Sequence, residues 1–230
     1  MIYPIVTAAD YLQHHDIHHT VPVDHTTDHS TTLLYIGRLD EEKSVSLLIK
    51  AMYYLAQQHD DISAVQLNII GSGPLLLPLQ HLVNQCQLTD QITFLGAMSA
   101  AQIASYLHQL RHSHPSRLPI LVNPRISGET FGYVHVEAAL LGLPVIAFNR
   151  GAAAENILSG LLIDLPEEEV KNEMNEVQLL AQALWQGMHT LTQLSPETII
   201  SAVRAKTQFH DVQGYQTALL QVIEYFLISE

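Results

Sequence analysis

The chain is poor in cysteine and in positive charge. Its 230 residues include one cysteine, Cys86, and 10 Lys and Arg against 23 Asp and Glu, which gives a formal net charge of -13. A single cysteine excludes an intrachain disulfide framework and a zinc site built on cysteines. The small number of basic residues argues against a surface for nucleic acid or anionic membranes. If so acidic a chain binds an anion, it must do so with a few placed cations and backbone amides.

The chain also lacks the sequence features of an exported or membrane-spanning protein. Residues 1–12, MIYPIVTAADYL, have neither the basic start nor the apolar stretch of a signal peptide. The longest apolar runs fall well short of the ~20 residues that span a bilayer. Together with the low cysteine content, these absences favour a soluble, cytoplasmic protein.

Strand-like and helix-like segments alternate after an atypical first 30 residues. Residues 1–30 are rich in His, Asp and Thr, and we interpret them as a linker or arm. The predicted strands are Thr32–Ile36, Val65–Ile70, Gln91–Leu95, Leu118–Asn123, Pro144–Phe148 and Leu161–Ile163. The predicted helices are Ser44–Gln58, Leu75–Gln87, Ala100–His112, Phe131–Leu141, Gly151–Leu158, Val177–Leu191, Glu197–Gln208 and Val212–Leu227. Because the strands are short and continuously apolar, the alternation predicts a doubly wound α/β domain with a parallel sheet covered on both faces.

The first candidate site follows the first predicted strand, in the segment YIGRLDEEKS. Ligands of doubly wound folds bind at the carboxyl ends of strands, where Gly37 would let a ligand approach the backbone. Arg38 and Lys43, five residues apart, can hold a diphosphate, the arginine through its fork and the lysine as a point charge. The alternative is that both are solvated loop charges beside the acidic residues 40–42.

Two further glycine-bearing turns follow the second and third predicted strands. In the segment IIGSGPL, Gly71, Gly73 and Pro74 predict a tight turn against the edge where a ligand would lie. The segment matches neither a full dinucleotide fingerprint nor a phosphate-binding P-loop, and a purely structural turn is the alternative. The third strand is followed by Gly96, Ala97 and Met98.

The pair Glu129 and Glu137 brackets the start of the fourth predicted helix. If the helix begins near Phe131, the N–H groups of Gly132 and Tyr133 lie in its first turn and can face a phosphate. Glu137 would point back toward the helix start, and its almost wholly apolar neighbours indicate that the carboxylate has a partner. Carboxylates accept hydrogen bonds from sugar hydroxyls, so the pair favours a sugar nucleotide as ligand. Alternatively, Glu129 is a first-turn acid favoured by the helix dipole and Glu137 is a surface residue.

The histidine-rich start of the chain offers a second, weaker possibility. His14, His15, His18 and His19 would give metal-ligand spacing if they were helical. However, the segment carries two prolines and little periodic apolar content. We therefore expect it to be irregular and expect no metal site.

Four stretches of the sequence occur in an order and spacing typical of one known family. They read LLYIGRLDEEKSVSLLIKAM, LNIIGSGPLLLPLQHL, QITFLGAMS and NPRISGETFGYVHVEAALLGLPVIAFNRGAAAEN, and they cover about residues 31–165. These stretches resemble the C-terminal, donor-binding half of the GT-B glycosyltransferases, most closely glycosyltransferase family four. The resemblance implies a Rossmann-like nucleotide-sugar-binding domain over residues 31–205. It also implies that residues 206–230 form a helix that packs on a partner or missing domain.

The resemblance implies a role for each candidate residue. Arg38 and Lys43 would grip the donor diphosphate, Glu129 would contact the hydroxyls of the donor sugar, and Glu137 would bind the ribose hydroxyls. We expect Arg38, Lys43 and Glu129 to be the catalytic residues, because cations and helix amides stabilise the leaving diphosphate. The other donor-site candidates are Gly37, Gly71, Ala97, Met98, Thr130, Phe131 and Gly132, with Gly132 and its neighbours facing the phosphate and the Gly96–Met98 turn beside the base. Enzymes of this kind usually retain the anomeric configuration and need no metal, so no cofactor would be required and the nucleotide-diphosphate sugar would be the donor substrate.

The sequence departs from the family pattern in three places. Ser44 follows Lys43 where glycine is usual, and Gly151-Ala152 stands where a glycine pair is expected, although Glu155 is still present. The larger departure is the missing acceptor domain, since the first family-like strand begins near Thr32. The chain is therefore expected to be a fragment, one subunit of a split enzyme, or a stand-alone relic.

The sequence leaves several functions open. The first hypothesis is the donor-binding part of a retaining hexosyltransferase that works with an acceptor domain supplied elsewhere. The second is a non-catalytic module that binds sugar nucleotides, and the third is a different doubly wound protein such as an epimerase or a scaffold. An apolar face exposed where the missing half should dock would favour a homo-oligomer.

Overall fold

The computed structural model describes residues 31–113, 117–127, 133–153, 157, 159–165, 172–195 and 198–199. The predicted arm at residues 1–30 and the predicted helix Val212–Leu227 lie outside these residues. So does most of the predicted helix Glu197–Gln208, of which Thr198 and Ile199 are helical. No helix in the described part of the chain is both long and apolar enough to cross a membrane.

Within these described ranges, six strands form one parallel sheet. They are β1 (Thr31–Ile36), β2 (Val65–Ile70), β3 (Ile92–Gly96), β4 (Ile120–Asn123), β5 (Val145–Phe148) and β6 (Gly160–Ile163). Their order across the sheet is β3-β2-β1-β4-β5-β6, and all five neighbouring pairs run parallel. This confirms the predicted doubly wound class and places every predicted strand within two residues of its observed bounds.

Five helices whose bounds lie within the described residues connect and cover the strands. They are α1 (Val45–Ala56), α2 (Leu76–Gln85), α3 (Ala100–Ser113), α4 (Tyr133–Leu140) and α5 (Glu173–Thr190). The prediction for α5 was wrong at its start, which it placed at Val177. The Asn172 side chain caps the helix by accepting a hydrogen bond from the Met174 N–H at 3.0 Å, and Glu173 and Glu176 complement the helix dipole in the first turn. Of the predicted helix Gly151–Leu158, the structure describes Ala153 as helical, and the residues at 154–156 and 158 lie outside the described ones.

Alternating strand residues serve two separate cores, one on each face of the sheet. Leu33 and Tyr35 of β1 pack in a core with α1, α2 and α5. Leu34 points to the other face, where the second core includes residues of α3 and α4. The continuous apolar strands that the sequence showed are therefore explained by burial on both sides.

The strand order reverses direction between β1 and β4. The chain proceeds from β1 to β2 and β3 on one side, then crosses to β4 on the other. All six residues of β1 pair with β2, but β1 pairs with β4 only at Leu33–Ile120 and Leu34–Leu121. Such a switch point leaves a crevice beyond the carboxyl ends of the two strands, and ligands of open α/β sheets bind there. The loops that follow β1 and β4 therefore define the candidate site.

Candidate functional site

The loop after β1 is held in place by its own side chains. The hydroxyl of buried Tyr35 donates to the Arg38 carbonyl oxygen at 2.7 Å. A Cβ on Gly37 would lie 2.7 Å from this hydroxyl, so the position next to the ring suits a glycine. Asp40 caps the short 3-10 turn Glu41–Lys43 by accepting from the Lys43 N–H at 3.2 Å. These contacts fix the backbone that carries Arg38 and Lys43 before any ligand arrives.

Arg38 is exposed and lies between acids of its own loop. Its Nη2 is 2.9 Å from Asp40 Oδ2 and 3.3 Å from Glu42 Oε2, and 53% of the side chain is exposed. Exposed ion pairs of this kind contribute ~0–1 kcal/mol each, so they orient the guanidinium but hold it only weakly. An anion at the switch point can therefore compete for Arg38. Lys43, at the end of the 3-10 turn, is half-buried.

Ser44 occupies a left-handed backbone conformation, with φ 52° and ψ 36°, between the 3-10 turn and α1. A side chain in this region is strained by ~1–2 kcal/mol, which gives a physical reason for a glycine in this position. We expect Ser44→Gly to raise the free energy of unfolding by about 0.5–1 kcal/mol, since part of the relieved strain is offset by the greater freedom of an unfolded glycine. Urea unfolding measures the change. Ser46→Gly, inside α1, should instead lower stability by about 0.5–1 kcal/mol, and equal shifts in both variants would contradict the explanation.

The glycine turn after β2 packs directly against the loop after β1. Gly37 N–H donates to the Ile70 carbonyl, Leu39 N–H to the Ser72 carbonyl and Leu75 N–H to the Leu39 carbonyl, each at 3.0 Å. A Cβ on Gly71, whose φ is +153°, would lie 1.8 Å from the Gly37 carbonyl oxygen. The structure therefore gives Gly71 a structural role, which the sequence had left as the alternative. Its proposed contact with a ligand stays a prediction.

The turn after β3 extends the same edge of the sheet. Gly71 N–H donates to the Gly96 carbonyl at 2.8 Å, so the second and third loops are joined. Ala97 is exposed, and Met98 is partly buried against the core on the α3 and α4 face. Their placement beside a base stays a prediction.

The loop after β4 contributes Arg125, which the sequence reasoning missed. Glu129, Thr130, Phe131 and Gly132 lie outside the described residues. Arg125 Nη2 contacts Glu42 Oε1, while Arg38 contacts the other oxygen of the same carboxylate. Two guanidiniums from opposite sides of the switch point thus share one acid. Arg125 could have been identified from two signals in the sequence. Basic residues are scarce in this chain, and Arg125 lies two residues after a predicted strand.

Helix α4 carries Glu137 and is tied to the end of β4. Asn123 Nδ2 lies 2.8 Å from Nε2 of buried His135, which fixes the helix next to the carboxyl end of the strand. Glu137 is half-buried, and desolvation raises the pKa of its carboxyl from 4.5 to about 7. No residue in the described part of the chain donates a resolved hydrogen bond to this carboxylate. The burial agrees with the apolar neighbours of Glu137 in the sequence, but the partner that they led us to expect is not found in the described part of the chain. A carboxyl of raised pKa next to the switch point is a candidate for function.

Comparison with known proteins identifies the family. Residues 23–178 match the sequence profile described as Glycosyl transferases group 1. The chain is 33% identical over 147 residues to a D-inositol 3-phosphate glycosyltransferase of Pseudarthrobacter chlorophenolicus, covering 61% of this chain and 33% of that protein. It is 29% identical over 139 residues to a GDP-mannose-dependent alpha-(1-6)-phosphatidylinositol monomannoside mannosyltransferase of Mycobacterium tuberculosis, covering 58% and 34%.

A solved structure shares the fold. Anabaena HepE in complex with UDP and glucose superposes with a TM-score of 0.58 at 22% identity, covering 86% of this chain and 49% of that one. The chain thus spans about a third of the length of these two curated relatives and about half of this solved structure. The resemblance to the GT-B glycosyltransferases that the motifs indicated is confirmed.

Proposed function

Because the chain belongs to the glycosyl transferases group 1 family, we propose that it is the donor-binding part of a retaining glycosyltransferase. It would bind a nucleotide-diphosphate sugar at the crevice between β1 and β4 and support transfer of the hexose to an acceptor. The observation that carries the proposal is the fixed loop after β1, which holds Arg38 exposed at the switch point and half-buried Lys43 at the end of its 3-10 turn. Cations at this edge of an open α/β sheet are placed to receive a diphosphate.

The half-buried carboxyl of Glu137 supports the same ligand. An ionised acid beside an anion site repels the anion, but it suits a ligand that also carries hydroxyl donors. Ribose hydroxyls would supply hydrogen bonds to the ionised carboxylate and offset its desolvation. Glu129 would contact the sugar hydroxyls, and Gly132 with its neighbours would offer helix N–H groups to the phosphate.

The proposed chemistry is electrostatic. As the glycosidic bond to the diphosphate breaks, negative charge grows on the leaving phosphate oxygen. Arg38 and Lys43 would stabilise that charge from fixed positions, and this lowers the barrier without a proton transfer to the diphosphate. The donor nucleotide sugar would be the only small molecule needed. Retention of configuration is tested by the anomeric proton coupling of the product.

The acceptor site is proposed to come from elsewhere, either a further domain or a separate subunit. Among the relatives is the gpi3 subunit of phosphatidylinositol N-acetylglucosaminyltransferase in Schizosaccharomyces pombe, 30% identical over 139 residues. That relative is named as one subunit of an enzyme, which favours such a partner here. A non-catalytic sugar-nucleotide-binding module is the second candidate, and it would bind donor without turnover in any complex.

Nucleotide binding tests the proposal directly. We expect the purified chain to bind one of UDP, GDP or ADP in calorimetric titration, and Arg38→Ala to weaken that binding by about 10–100-fold, which is the loss of one or two charge-assisted hydrogen bonds. Glu137→Ala should weaken it similarly. Lys50→Ala is the matched control, because Lys50 pairs with Glu173 on α5 and should leave the affinity unchanged. Equal effects of Lys50→Ala and Arg38→Ala would reject a placed diphosphate site.

A further inference from the structure

A cluster of Arg38, Glu42 and Arg125, here named the bridged arginine cluster, spans the crevice between β1 and β4. The Oε2 atom of Glu42 accepts from Arg38, and its Oε1 atom accepts from Arg125. Arg38 and Glu42 belong to the loop after β1, while Arg125 belongs to the loop after β4. These loops flank the switch point, so the cluster lies where an open α/β sheet binds its ligand.

Arg125 is the most firmly held member of the bridged arginine cluster. Only 12% of its side chain is exposed, against 53% for Arg38 and 46% for Glu42. Its Nε donates to Ser127 Oγ at 3.0 Å, and its backbone N–H donates to Asn123 Oδ1 at 3.3 Å. The guanidinium is therefore fixed from the β4 side, and Glu42 reaches it from the solvent side.

The Glu42 carboxylate contacts the two arginines in the way that a phosphate group of the ligand would. It presents one oxygen to each of two guanidiniums, which is also how a phosphate presents two of its oxygens to a pair of arginines. A largely desolvated guanidinium requires an anionic partner, and Glu42 provides one as long as no ligand is bound. A diphosphate in the crevice would meet the negative charge of Glu42 unless that side chain moved away.

We propose that Arg125 is a third cation of the diphosphate site and that Glu42 is a placeholder which the incoming phosphate displaces. The inference rests on the proposed function, because a nucleoside diphosphate is the ligand in both. Binding would exchange the carboxylate of Glu42 for phosphate oxygens at Arg38 and Arg125 and release Glu42 to solvent. The exposed side of Glu42 leaves it room to move.

Substitutions at two positions, Arg125 and Glu42, have opposite expected effects and test the proposal. The probes are the nucleoside diphosphate that binds the wild-type chain most tightly and inorganic pyrophosphate, which carries no base. Arg125→Ala should weaken both by about 10–100-fold, and Arg125→Lys, which keeps the charge but not the fork, by less. Glu42→Gln should tighten both by about 3–10-fold, since it removes a like charge ~4 Å from the site.

The matched control is Arg117→Ala. Arg117 Nη1 donates to Thr31 Oγ1 at 3.0 Å at the start of β1, the opposite end of the same pair of strands. It should leave the affinity for both probes unchanged. Thermal unfolding of every variant separates lost binding from lost folding, and Arg125→Lys replaces Arg125→Ala if the alanine variant is not folded.

The outcomes separate this proposal from the proposed function. If Arg38→Ala weakens binding while both Arg125 variants match the wild type, the placeholder proposal is overturned and the proposed function stands. Weaker binding in Glu42→Gln also overturns it, because the acid would then hold the loops in place rather than compete with the ligand. If the wild-type chain binds neither probe, both proposals fail.

Discussion

Glu137→Gln is expected to remove a pH-dependent penalty on folding of about 3 kcal/mol. The folded pKa of Glu137 is raised from 4.5 to about 7 by desolvation, and each unit of pKa shift corresponds to ~1.4 kcal/mol. Below pH 4.5 the carboxyl is protonated in both states and there is no penalty. As the pH rises toward 7, the unfolded chain ionises first, so the native state loses stability from this group. The difference in unfolding free energy between variant and wild type should therefore grow by about 3 kcal/mol from pH 4 to pH 8.

Urea unfolding at a series of pH values measures this difference. Other carboxyl groups cancel in the comparison because both chains carry them. Asp90→Asn, an exposed carboxyl-to-amide change between α2 and β3, is the matched control for the effect of the substitution itself. A difference for Glu137→Gln that stays constant with pH would mean that solvent reaches the carboxyl in the folded chain.

The same group links nucleotide binding to pH, if the proposed contact with ribose hydroxyls is made. Only the ionised carboxylate accepts two such hydrogen bonds, so binding should release a proton below pH 7 and weaken about tenfold from pH 8 to pH 6. In Glu137→Gln the affinity should be lower and its pH dependence flatter. The residue would thus lower stability at neutral pH and raise affinity, which is a common trade-off at functional sites.

Gly71→Ala is expected to lower the free energy of unfolding by more than about 3 kcal/mol. The added Cβ would lie 1.8 Å from the Gly37 carbonyl oxygen, and the φ of +153° is itself unfavourable for any residue with a side chain. Backbone atoms cannot rotate away as a flexible side chain can. Relief of the clash would have to separate the loops after β1 and β2, which breaks the hydrogen bond from Gly37 N–H to the Ile70 carbonyl.

Gly96→Ala is the matched control for this substitution. Its φ of +75° is also left-handed, but a Cβ there meets nothing within 4 Å. It should therefore lower stability by only ~1 kcal/mol, the cost of the conformation alone. Denaturant midpoints compare the two variants, and equal midpoints would show that backbone conformation, not the close approach of the two loops, explains Gly71. A displaced loop in Gly71→Ala should also reduce nucleotide binding through Arg38.

The sheet and its edge were predictable from the sequence because local patterns determine them. Apolar runs such as Val65–Ile70, set apart by glycine turns, specify buried parallel strands, and the residues after them must then share one edge. The start of α5 was missed because Asn172 is a polar residue among other polar ones. Its role as a cap depends on a backbone geometry that composition does not reveal.

Some residues of the candidate site were predictable from the sequence, but their contacts were not. Arg38 and Glu137 could be identified from loop position and an apolar setting, respectively. Arg125 could not be connected with Glu42, because 83 residues separate them along the chain and their meeting depends on the crossover from β3 to β4. The left-handed backbone conformation of Ser44 was likewise not predictable, although the sequence showed a serine where the family usually has a glycine.

The narrow junction between β1 and β4 has a consequence for how the sheet is assembled. The three strands on one side come from residues 31–96 and the three on the other from residues 120–163, so each half is built from contacts that are local in sequence. Joining these halves is the long-range step, and it combines the two paired positions of β1 and β4 with the core that α5 shares with α1. A ligand that lies across the crevice touches loops of both halves. It would therefore add a third connection between them, at the edge of the sheet where the loops meet.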